Sequence, residues 1–389
     1  MYYGSTLQLQ IFYTVCHINI RSPNMSRLPV FLPEELVVEV LSFLPVKSLL
    51  QLRCVSKSWK SLISDPTFVK VHLNRSARNA DITIISSFVV EDEAAFYLME
   101  NPPIIVNRFN DSYHQLKDKD CNSIIGSCNG LLCLLGLSYI NDHREMCFSF
   151  WNPATRTISE KLGYSSEHKD LHRPHNLIFG YDDSTGTYKV VYFISHTTQV
   201  RVFSLGHNVW RNIQNSPLDH ECIMNVVQLS GSFIWLANHN YIGKKIVIVS
   251  LNLGTEIHTQ LLPPPSFDDE PIINPNLSVL KDCLCFSHDF NQTHFVIWQM
   301  KEFGVEDSWT QFLKISYHNN LQIDDPYDEF NYSLLPLFLL EKKDTLLLTN
   351  TYQQRQIILY NWRDNSVKRI NKSWPFHSKN YVESLVWYR

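Results

Sequence analysis

The 389-residue sequence predicts a mainly β protein that begins with a small all-α module. Between residues 31 and 75, apolar side chains recur at the spacing of amphipathic helices, whereas from residue 81 onwards short runs of β-branched and aromatic residues alternate with polar turns. In this second region a pair of hairpins recurs roughly every fifty residues, which is typical of the blades of a β-propeller. Aromatic residues make up 13% of the chain and suit the half-buried surface of a sheet. We therefore expect a three-helix module followed by a six-bladed β-propeller-like domain.

Net charge and cysteine content exclude several classes of function. A formal net charge of −4 provides no basic field for nucleic acid or anionic lipid, so we expect neither nucleic acid nor a membrane as a partner. The nine cysteines are odd in number and scattered, which indicates reduced thiols in a cytoplasmic or nuclear protein. No apolar run has the length of a membrane span, and residues 1–20 lack the pattern of a signal peptide.

Residues 1–30 precede every motif and are predicted to be a disordered extension. Met25 is a plausible alternative start, so residues 1–24 are interpreted either as part of this extension or as an artefact of the gene model. The intact mass of the natural protein distinguishes these two interpretations.

Three short amphipathic helices are predicted within residues 31–75. Pro33 suits the first turn of the first helix and Pro45 ends that helix, because proline lacks the backbone N–H and restricts the residue before it. The turn Ser64-Asp65-Pro66 is expected to stop the third helix and can cap a following turn. The three apolar faces consist, in order, of Leu36, Val37, Val40, Leu41 and Leu44; of Val46, Leu49, Leu50 and Leu52; and of Val55, Trp59, Leu62 and Ile63. So thin a core tends to need a partner surface.

The run LPEELVVEVLSFLPVKSLLQLRCVSKSWKSLISDPTF, residues 32–68, resembles the F-box motif, especially its plant form. The shared elements are LP, LPVKSLL, CVSKSW and LI-DP-F, in this order. The resemblance implies that the module binds a Skp-type adaptor, which links it to a cullin and a RING subunit. Carried over to the matching positions, the implied adaptor contacts are Leu32, Pro33, Leu44, Pro45, Leu49, Leu52, Val55, Trp59 and Leu62, of which the last three are also expected to pack inside the module. The alternative is that these apolar faces only pack against the chain's own β domain.

The region 80–389 is predicted to contain five complete four-stranded units, each ending in a strand–turn–strand hairpin. A sixth blade is expected to close the ring when the C-terminal run YVESLVWYR, residues 381–389, pairs with strands from residues 81–110, because closure removes exposed strand edges. A β-sandwich with long loops is the alternative architecture. The five hairpins span residues 148–162, 200–213, 246–261, 295–315 and 357–370.

The same region resembles the plant F-box-associated domain, which is related in layout to kelch-type propellers and implies a substrate-binding role. The match is weaker after about residue 270. The landmarks are SCNGLLCL (127–134), FWNPATR (150–156), FGYDDSTGTYKVV (179–191), VFSLGHNVWR (202–211) and GSFIWLA (231–237). Five tryptophans are expected to pack between blades rather than to bind a ligand: Trp151, Trp210, Trp235, Trp298 and Trp362.

The sequence shows no nucleotide-binding loop, serine-hydrolase elbow or zinc-protease motif, so we predict no catalytic residue, no cofactor and no metal site. Cys283 and Cys285 lie on one face of a strand and are expected to pack in the core. His172 and His175 are interpreted as exposed loop residues. The acidic loops at 268–270 and 324–329 are interpreted as hydrated turns, with a surface for a basic substrate as the alternative.

Together the two resemblances imply a non-catalytic substrate-recognition subunit of an SCF-type E3 ubiquitin ligase, which directs a target protein to ubiquitination and proteasomal degradation. The alternative is an interaction protein that binds the adaptor, or another partner, without ubiquitin transfer. The target protein is not indicated by any residue pattern, because loops provide such surfaces and the loops are the least patterned part of the chain.

Overall fold

The computed structural model describes residues 33–79, 83–90, 93–100, 105–108, 121–140, 143–168, 177–194, 197–218, 226–238, 246–265, 273–291, 293–321, 334–340, 344–350, 357–370 and 377–387. Residues 33–79 form a helical module, and the strands that follow form six separate sheets. The mainly β architecture with an N-terminal α module is therefore confirmed, and the β-sandwich alternative is wrong.

Four α-helices, one more than predicted, lie in the described part of the helical module. Asp65 explains the difference, because its Oδ1 accepts hydrogen bonds from the backbone N–H groups of Thr67 (2.8 Å) and Phe68 (3.3 Å). The turn that ends the third helix therefore also caps a fourth, with Pro66 in its first turn. The four helices are α1 (Glu34–Leu41), α2 (Val46–Leu52), α3 (Lys57–Ile63) and α4 (Pro66–Asn79).

Helix α4 fastens the short helices to one another. Arg75 pairs with the Glu39 carboxylate at 2.5 Å and donates to the Ser42 hydroxyl at 2.6 Å. The imidazole of His72, which is buried, lies with its Nε2 2.9 Å from the backbone oxygen of Leu44. Burial lowers the pKa of His72, so the ring is neutral near pH 7. Its Nε2–H donates the hydrogen bond to the Leu44 oxygen, because a carbonyl oxygen can only accept. The core beneath consists of Leu41, Leu44, Val46, Leu49, Leu52, Trp59, Ile63 and Phe68.

The strands form five consecutive antiparallel blades and a sixth that joins the two ends of the β region. Blade 1 contains β4 (Cys121–Cys128), β5 (Leu131–Ile140), β6 (His143–Asn152), β7 (Thr157–Ile158) and β8 (Leu162–His168). Blade 2 contains β9 (Leu177–Asp182), β10 (Thr187–Phe193), β11 (Val200–Ser204) and β12 (Val209–Asn212). Blade 3 contains β13 (Val227–Leu229), β14 (Ser232–Asn238), β15 (Ile246–Asn252) and β16 (His258–Leu261).

The second half of the ring repeats this plan. Blade 4 contains β17 (Ile273–Leu280), β18 (Cys283–Phe290), β19 (His294–Met300) and β20 (Trp309–Ser316). Blade 5 contains β21 (Leu334–Leu340), β22 (Thr345–Asn350), β23 (Ile357–Asn361) and β24 (Ser366–Ile370). Blade 6 contains β1 (Thr83–Val90), β2 (Glu93–Glu100), β3 (Ile105–Arg108) and β25 (His377–Tyr381). All five predicted hairpins fall in blades 1 to 5.

Ring closure occurs as predicted, but with a different strand. β25 pairs antiparallel with β1, with Tyr381 opposite Thr83 and His377 opposite Ser87. The strand is thus the polar run HSKNY at 377–381, and the expected strand at 381–389 is wrong beyond its first residue. The more apolar residues that follow leave the sheet and cross to the helical module, where Leu385 enters the core.

Local turn chemistry fixes the strand order within the blades. Asn129 and Gly130 both have positive φ, at 53° and 78°, which is the type I′ geometry that matches strand twist in a two-residue hairpin. A second recurring turn uses an asparagine side chain as acceptor. Asn252 Oδ1 receives the N–H of Thr255 at 2.8 Å, and Asn361 Oδ1 receives that of Arg363 at 2.9 Å.

Apolar clusters lie between consecutive blades rather than in one common core. They join blade 1 to blade 2, blade 2 to blade 3, blade 3 to blade 4 and blade 4 to blade 5. Trp210, Trp235, Trp298 and Trp362 lie in these clusters, as predicted, and Trp151 is fully buried.

A buried ion pair also joins two blades. Lys189 Nζ of blade 2 lies 2.8 Å from Asp182 Oδ2 on the same blade and 3.2 Å from Glu256 Oε1 on blade 3. Burial opposes ionisation of Asp182, but hydrogen bonds from Lys189, Ser184 and Thr185 outweigh it and hold the pKa of this carboxyl well below its usual range. The Asp182 carboxyl is therefore ionised at neutral pH.

Candidate functional site

Eight of the nine residues implied as adaptor contacts lie in the described part of the chain, and they fall into three groups. Pro33, Pro45 and Val55 are exposed at helix ends, and the side chain of Val55 is 50% accessible. Leu62 is half-buried and Leu32 lies outside the described residues. The remaining four form part of the module's own core in this structure: Leu44, Leu49, Leu52 and Trp59. The exposed members are free to contact a partner directly, whereas the buried members hold the helices that present them.

Two further apolar side chains are exposed on the same module, and the residue pattern alone did not separate them from the core. Leu36 is 50% exposed on α1 and Phe43 is 57% exposed after it. One face of the Phe43 ring is covered by the Arg75 guanidinium, 4.2 Å from the ring centre. Helical spacing placed Leu36 in the apolar face of the first helix, but only part of that face is buried in the core of the module. Leu36 and Phe43 thus join Val55 as apolar side chains that the helical module leaves accessible.

A cleft of about 750 Å³ separates the helical module from blades 1 and 2. Arg53 and Lys70 line the module side, whereas Asp183, Tyr181 and Tyr188 line the blade side. The last described residues of the chain form one wall of this cleft. The C-terminal segment therefore connects the helical module with the blades at the side of the cleft. The arrangement keeps the exposed apolar side chains Leu36, Phe43 and Val55 outside the residues that line the cleft.

An acidic side chain is enclosed within blade 4. The Tyr317 hydroxyl donates to Asp289 Oδ1, and Asn274 Nδ2 donates to Asp289 Oδ2 at 2.8 Å. Burial raises the pKa of Asp289 to about 6, against the opposing effect of the Asn274 hydrogen bond. His288 beside it is also buried, and burial lowers its pKa. None of these four residues lines the cleft beside the helical module, and we assign the cluster to the packing of the blade.

Groups with catalytic or metal-binding chemistry are not assembled in the described residues. No group of three or more His, Cys, Asp or Glu side chains that could hold a metal ion occurs among them. Cys285 is buried, and burial raises the pKa of its thiol to about 12, which keeps it protonated. His172, His175 and the acidic loops at 268–270 and 324–329 lie outside the described residues. No helix in the described part of the chain has both the length and the apolarity that a membrane crossing requires.

Comparison with known proteins identifies both parts of the chain. Residues 31–70 match the F-box domain, and residues 87–387 match the F-box associated beta propeller domain. The F-box protein CPR1 of Arabidopsis thaliana is 25% identical over 82% of this chain and 80% of its own length. An F-box/kelch-repeat protein of the same plant is 27% identical over 73% of this chain and 79% of its own length.

The solved structures similar to this chain include the β-propeller domain of the Trilobed protease from Pyrococcus furiosus. It is 8% identical, with a TM-score of 0.40 over 75% of this chain and 81% of that chain. The propeller fold follows from the order of the strands in the six sheets and from the family match over residues 87–387. The helical module and the closed ring of blades define the class of F-box proteins with a C-terminal β-propeller. The chain belongs to the F-box associated β-propeller family, and it is a plant F-box protein of that layout.

Proposed function

We propose that this protein is the substrate-recognition subunit of an SCF-type E3 ubiquitin ligase. The helical module binds a Skp-type adaptor, and through it a cullin and a RING subunit, while the propeller holds a target protein that is thereby ubiquitinated and degraded. The observation that carries this proposal is the match to the F-box domain over residues 31–70. The domains proposed for these roles are residues 31–75 and 80–389, preceded by an extension at 1–30.

The structure supports an adaptor surface on the helical module. Val55 and Leu36 are half exposed, and Pro45 beside α2 is exposed as well. Burial of such side chains in a partner groove is a common source of binding energy, with a few anchors contributing most of it. Leu44 and Leu49, which the sequence placed in the same surface, are proposed to act by holding α2 in position, because both are buried.

The receptor needs no chemistry of its own in this proposal. Its contribution is to raise the effective concentration of the target's lysines near the ubiquitin carrier, as any two-site scaffold does. A cytoplasmic or nuclear location is proposed with it, and it agrees with the absence of disulfides among Cys54, Cys128, Cys133, Cys147, Cys283 and Cys285.

Replacing Val55 with aspartate is expected to reduce capture of a Skp-type adaptor by about tenfold or more, because a carboxylate would be desolvated in an apolar groove. The measurement is a quantitative pull-down, or titration calorimetry, with purified adaptor and the full chain. Val55 is preferred over Leu44, since loss of a buried leucine would unfold the module and abolish capture for an indirect reason.

Ile257→Asp is the matched control, because Ile257 is 53% exposed on the propeller and thus as accessible as Val55. Its capture of adaptor should equal that of the wild type. Full capture by Val55→Asp would show that the adaptor does not use this surface. Target half-life with and without proteasome inhibition then distinguishes a degradative receptor from a simple interaction protein.

A further inference from the structure

The C-terminal residues 382–387, here called the C-terminal strap, lie between blade 1 and the helical module. The strap follows β25 without interruption, and β25 closes the ring by pairing with β1. Leu385 of the strap is buried in the core of the helical module, and the partly buried Ala154 of blade 1 packs against the same core. One short segment thus contacts blade 6, blade 1 and the helical module.

Blade 1 holds the strap through the side chain of Asn152, which is fully buried. Its Nδ2 donates to the backbone oxygens of Ser384, at 3.0 Å, and Val386, at 2.8 Å. Its Oδ1 accepts from the backbone N–H of Ala154 at 3.0 Å and so shapes the turn that leads to β7. One side chain therefore satisfies the strap backbone and the blade turn at the same time, which binds the two together.

Close packing at the β4–β5 turn adds a second point of attachment. The Ser384 hydroxyl donates to the backbone oxygen of Asn129 at 2.7 Å. A Cβ atom added to Gly130 would lie 2.3 Å from the Ser384 hydroxyl oxygen and 2.5 Å from the backbone oxygen of Val382. The strap therefore approaches the blade backbone at a distance that only glycine permits.

The helical module is tethered to the ring at two points. α4 ends at Asn79 and β1 begins at Thr83, which gives a short covalent connection to blade 6. The strap returns from the partner strand of β1 and inserts Leu385 into the module's core. With a single linker the helical module would be free to rotate relative to the propeller, because relative motion is the usual behaviour of two linked domains. Two attachments at separate points oppose that rotation.

We infer that the C-terminal strap locks the helical module to the propeller as one rigid body, with Asn152 and Leu385 as its positioning residues. The functional consequence rests on the proposed receptor role: the strap fixes the distance and direction from the bound adaptor to the propeller surface that holds a target. Transfer of ubiquitin depends on such positioning. The apolar residues that predicted a strand at 381–389 instead make contacts of the strap, since Leu385 packs in the helical module and Val386 packs against blades 1 and 2.

The test measures the distance distribution between the two parts in the full chain. Spin labels are introduced through genetically encoded amino acids at Ser61 on α3 and Asp364 on blade 5, both exposed, so that the native cysteines stay unlabelled. We expect one narrow distance for the wild type. Asn152→Asp keeps the acceptor for the Ala154 N–H but presents a carboxylate oxygen to two carbonyl oxygens of the strap, and it should at least double the width of the distribution.

Leu385→Asp should broaden the distribution in the same way, whereas Leu385→Met should restore the narrow distance. Glu383→Gln, at an exposed strap position, is the matched control and should match the wild type. Leu385→Asp could unfold the helical module. In that case Asn152→Asp still tests whether the strap locks the module, because Asn152 belongs to blade 1 and not to the core of the module. A broad distance distribution in the wild type would refute the inference that the strap locks the module to the propeller. An unchanged narrow distribution in both aspartate variants would refute it as well. Adaptor capture is measured separately, so a wild type with one distance and no capture would refute only the proposed function.

Discussion

Replacing Lys189 with methionine is expected to lower the free energy of unfolding by about 3–5 kcal/mol, the usual effect of removing one partner of a buried ion pair. Lys189 and Asp182 are 4% and 2% exposed, so the carboxylate left behind would be almost completely desolvated. The ammonium also donates to the backbone oxygen of Leu253 on blade 3, and the variant would leave that acceptor unsatisfied. Chemical denaturation of wild type and variant at pH 7 measures the difference.

Two further variants separate the buried charge from the rest of the cluster. Arg211 pairs with the same Glu256, but its side chain is 48% exposed, so Arg211→Gln should lower the free energy of unfolding by less than about 1 kcal/mol. The double variant Lys189→Met/Asp182→Asn removes both opposite charges and should recover part of the stability lost by Lys189→Met alone. A double variant no more stable than the single one would show that packing, rather than charge, determines the loss.

The effect of Lys189→Met should depend on pH with a definite sign. In the wild type the pKa of Asp182 lies below its unfolded value, so this carboxylate contributes stability above about pH 4, and the contribution is lost as the pH falls through the folded pKa. Without Lys189 the folded pKa of Asp182 rises. The stability deficit of the variant should therefore be complete at pH 7 and should shrink below about pH 4. An equal deficit at pH 7 and pH 3 would contradict this account.

The parts of the fold that the sequence predicts are those with a local physical signature. Asn129-Gly130 adopts a hairpin turn whose positive φ values suit these two residues, and strand periodicity marks β10 and β15 on either side of polar turns. Strand-forming runs and polar turns recur in blades 1 to 5, so the number and order of the hairpins there follow from them. The family resemblance added the identity of the helical module, which three apolar stripes alone left open.

The missed elements depend on contacts between distant residues. The strand at 377–381 has a polar sequence, and its position results from backbone pairing with β1 at the closing edge. Helix α4 is a local exception, because Asp65-Pro66 was expected to end the third helix and to cap a turn, whereas it begins a helix of 14 residues. The pairing of Lys189 with Glu256 needs blade 2 to lie beside blade 3, which residue spacing does not encode.

The candidate adaptor surface shows the same limit at the level of single residues. The motif names Leu44 and Val55 together, but the structure buries the first and leaves half of the second accessible. A motif records which residue types are required, whether they touch a partner or support the residues that do. Burial separates these two requirements, and for that reason Val55, Leu36 and Pro45 are the positions at which adaptor binding can be tested without loss of the module's core.

Asp289→Asn is expected to stabilise the protein at pH 7.5 by up to about 3 kcal/mol, because it removes a carboxylate that must ionise inside blade 4. The folded pKa of Asp289 is about 6, whereas an unfolded aspartate titrates near 3.9. The folded state therefore holds the proton more tightly. Its stabilising contribution is complete below about pH 4 and is lost as the pH rises to the folded value.

The asparagine side chain can keep both hydrogen bonds of the cluster. Its Oδ1 can accept from Asn274 Nδ2, and its Nδ2 can donate to the Tyr317 hydroxyl, which accepts as readily as it donates. His288 is present in both proteins, so its own titration cancels in the comparison. The advantage of Asp289→Asn over wild type, measured by chemical denaturation, should thus be largest at pH 7.5 and nearly absent at pH 4.

Asp307→Asn supplies the matched control, because Asp307 is exposed at the edge of the same blade. Its free energy of unfolding should stay within about 0.5 kcal/mol of the wild type at both pH values. An advantage of Asp289→Asn that is the same at pH 4 and pH 7.5 would mean that the carboxyl is already protonated, or already fully ionised, throughout this range. Either finding would remove Asp289 as the source of the stability lost between these two pH values, and the next group to test would be its neighbour His288, whose pKa is lowered by burial in the same blade.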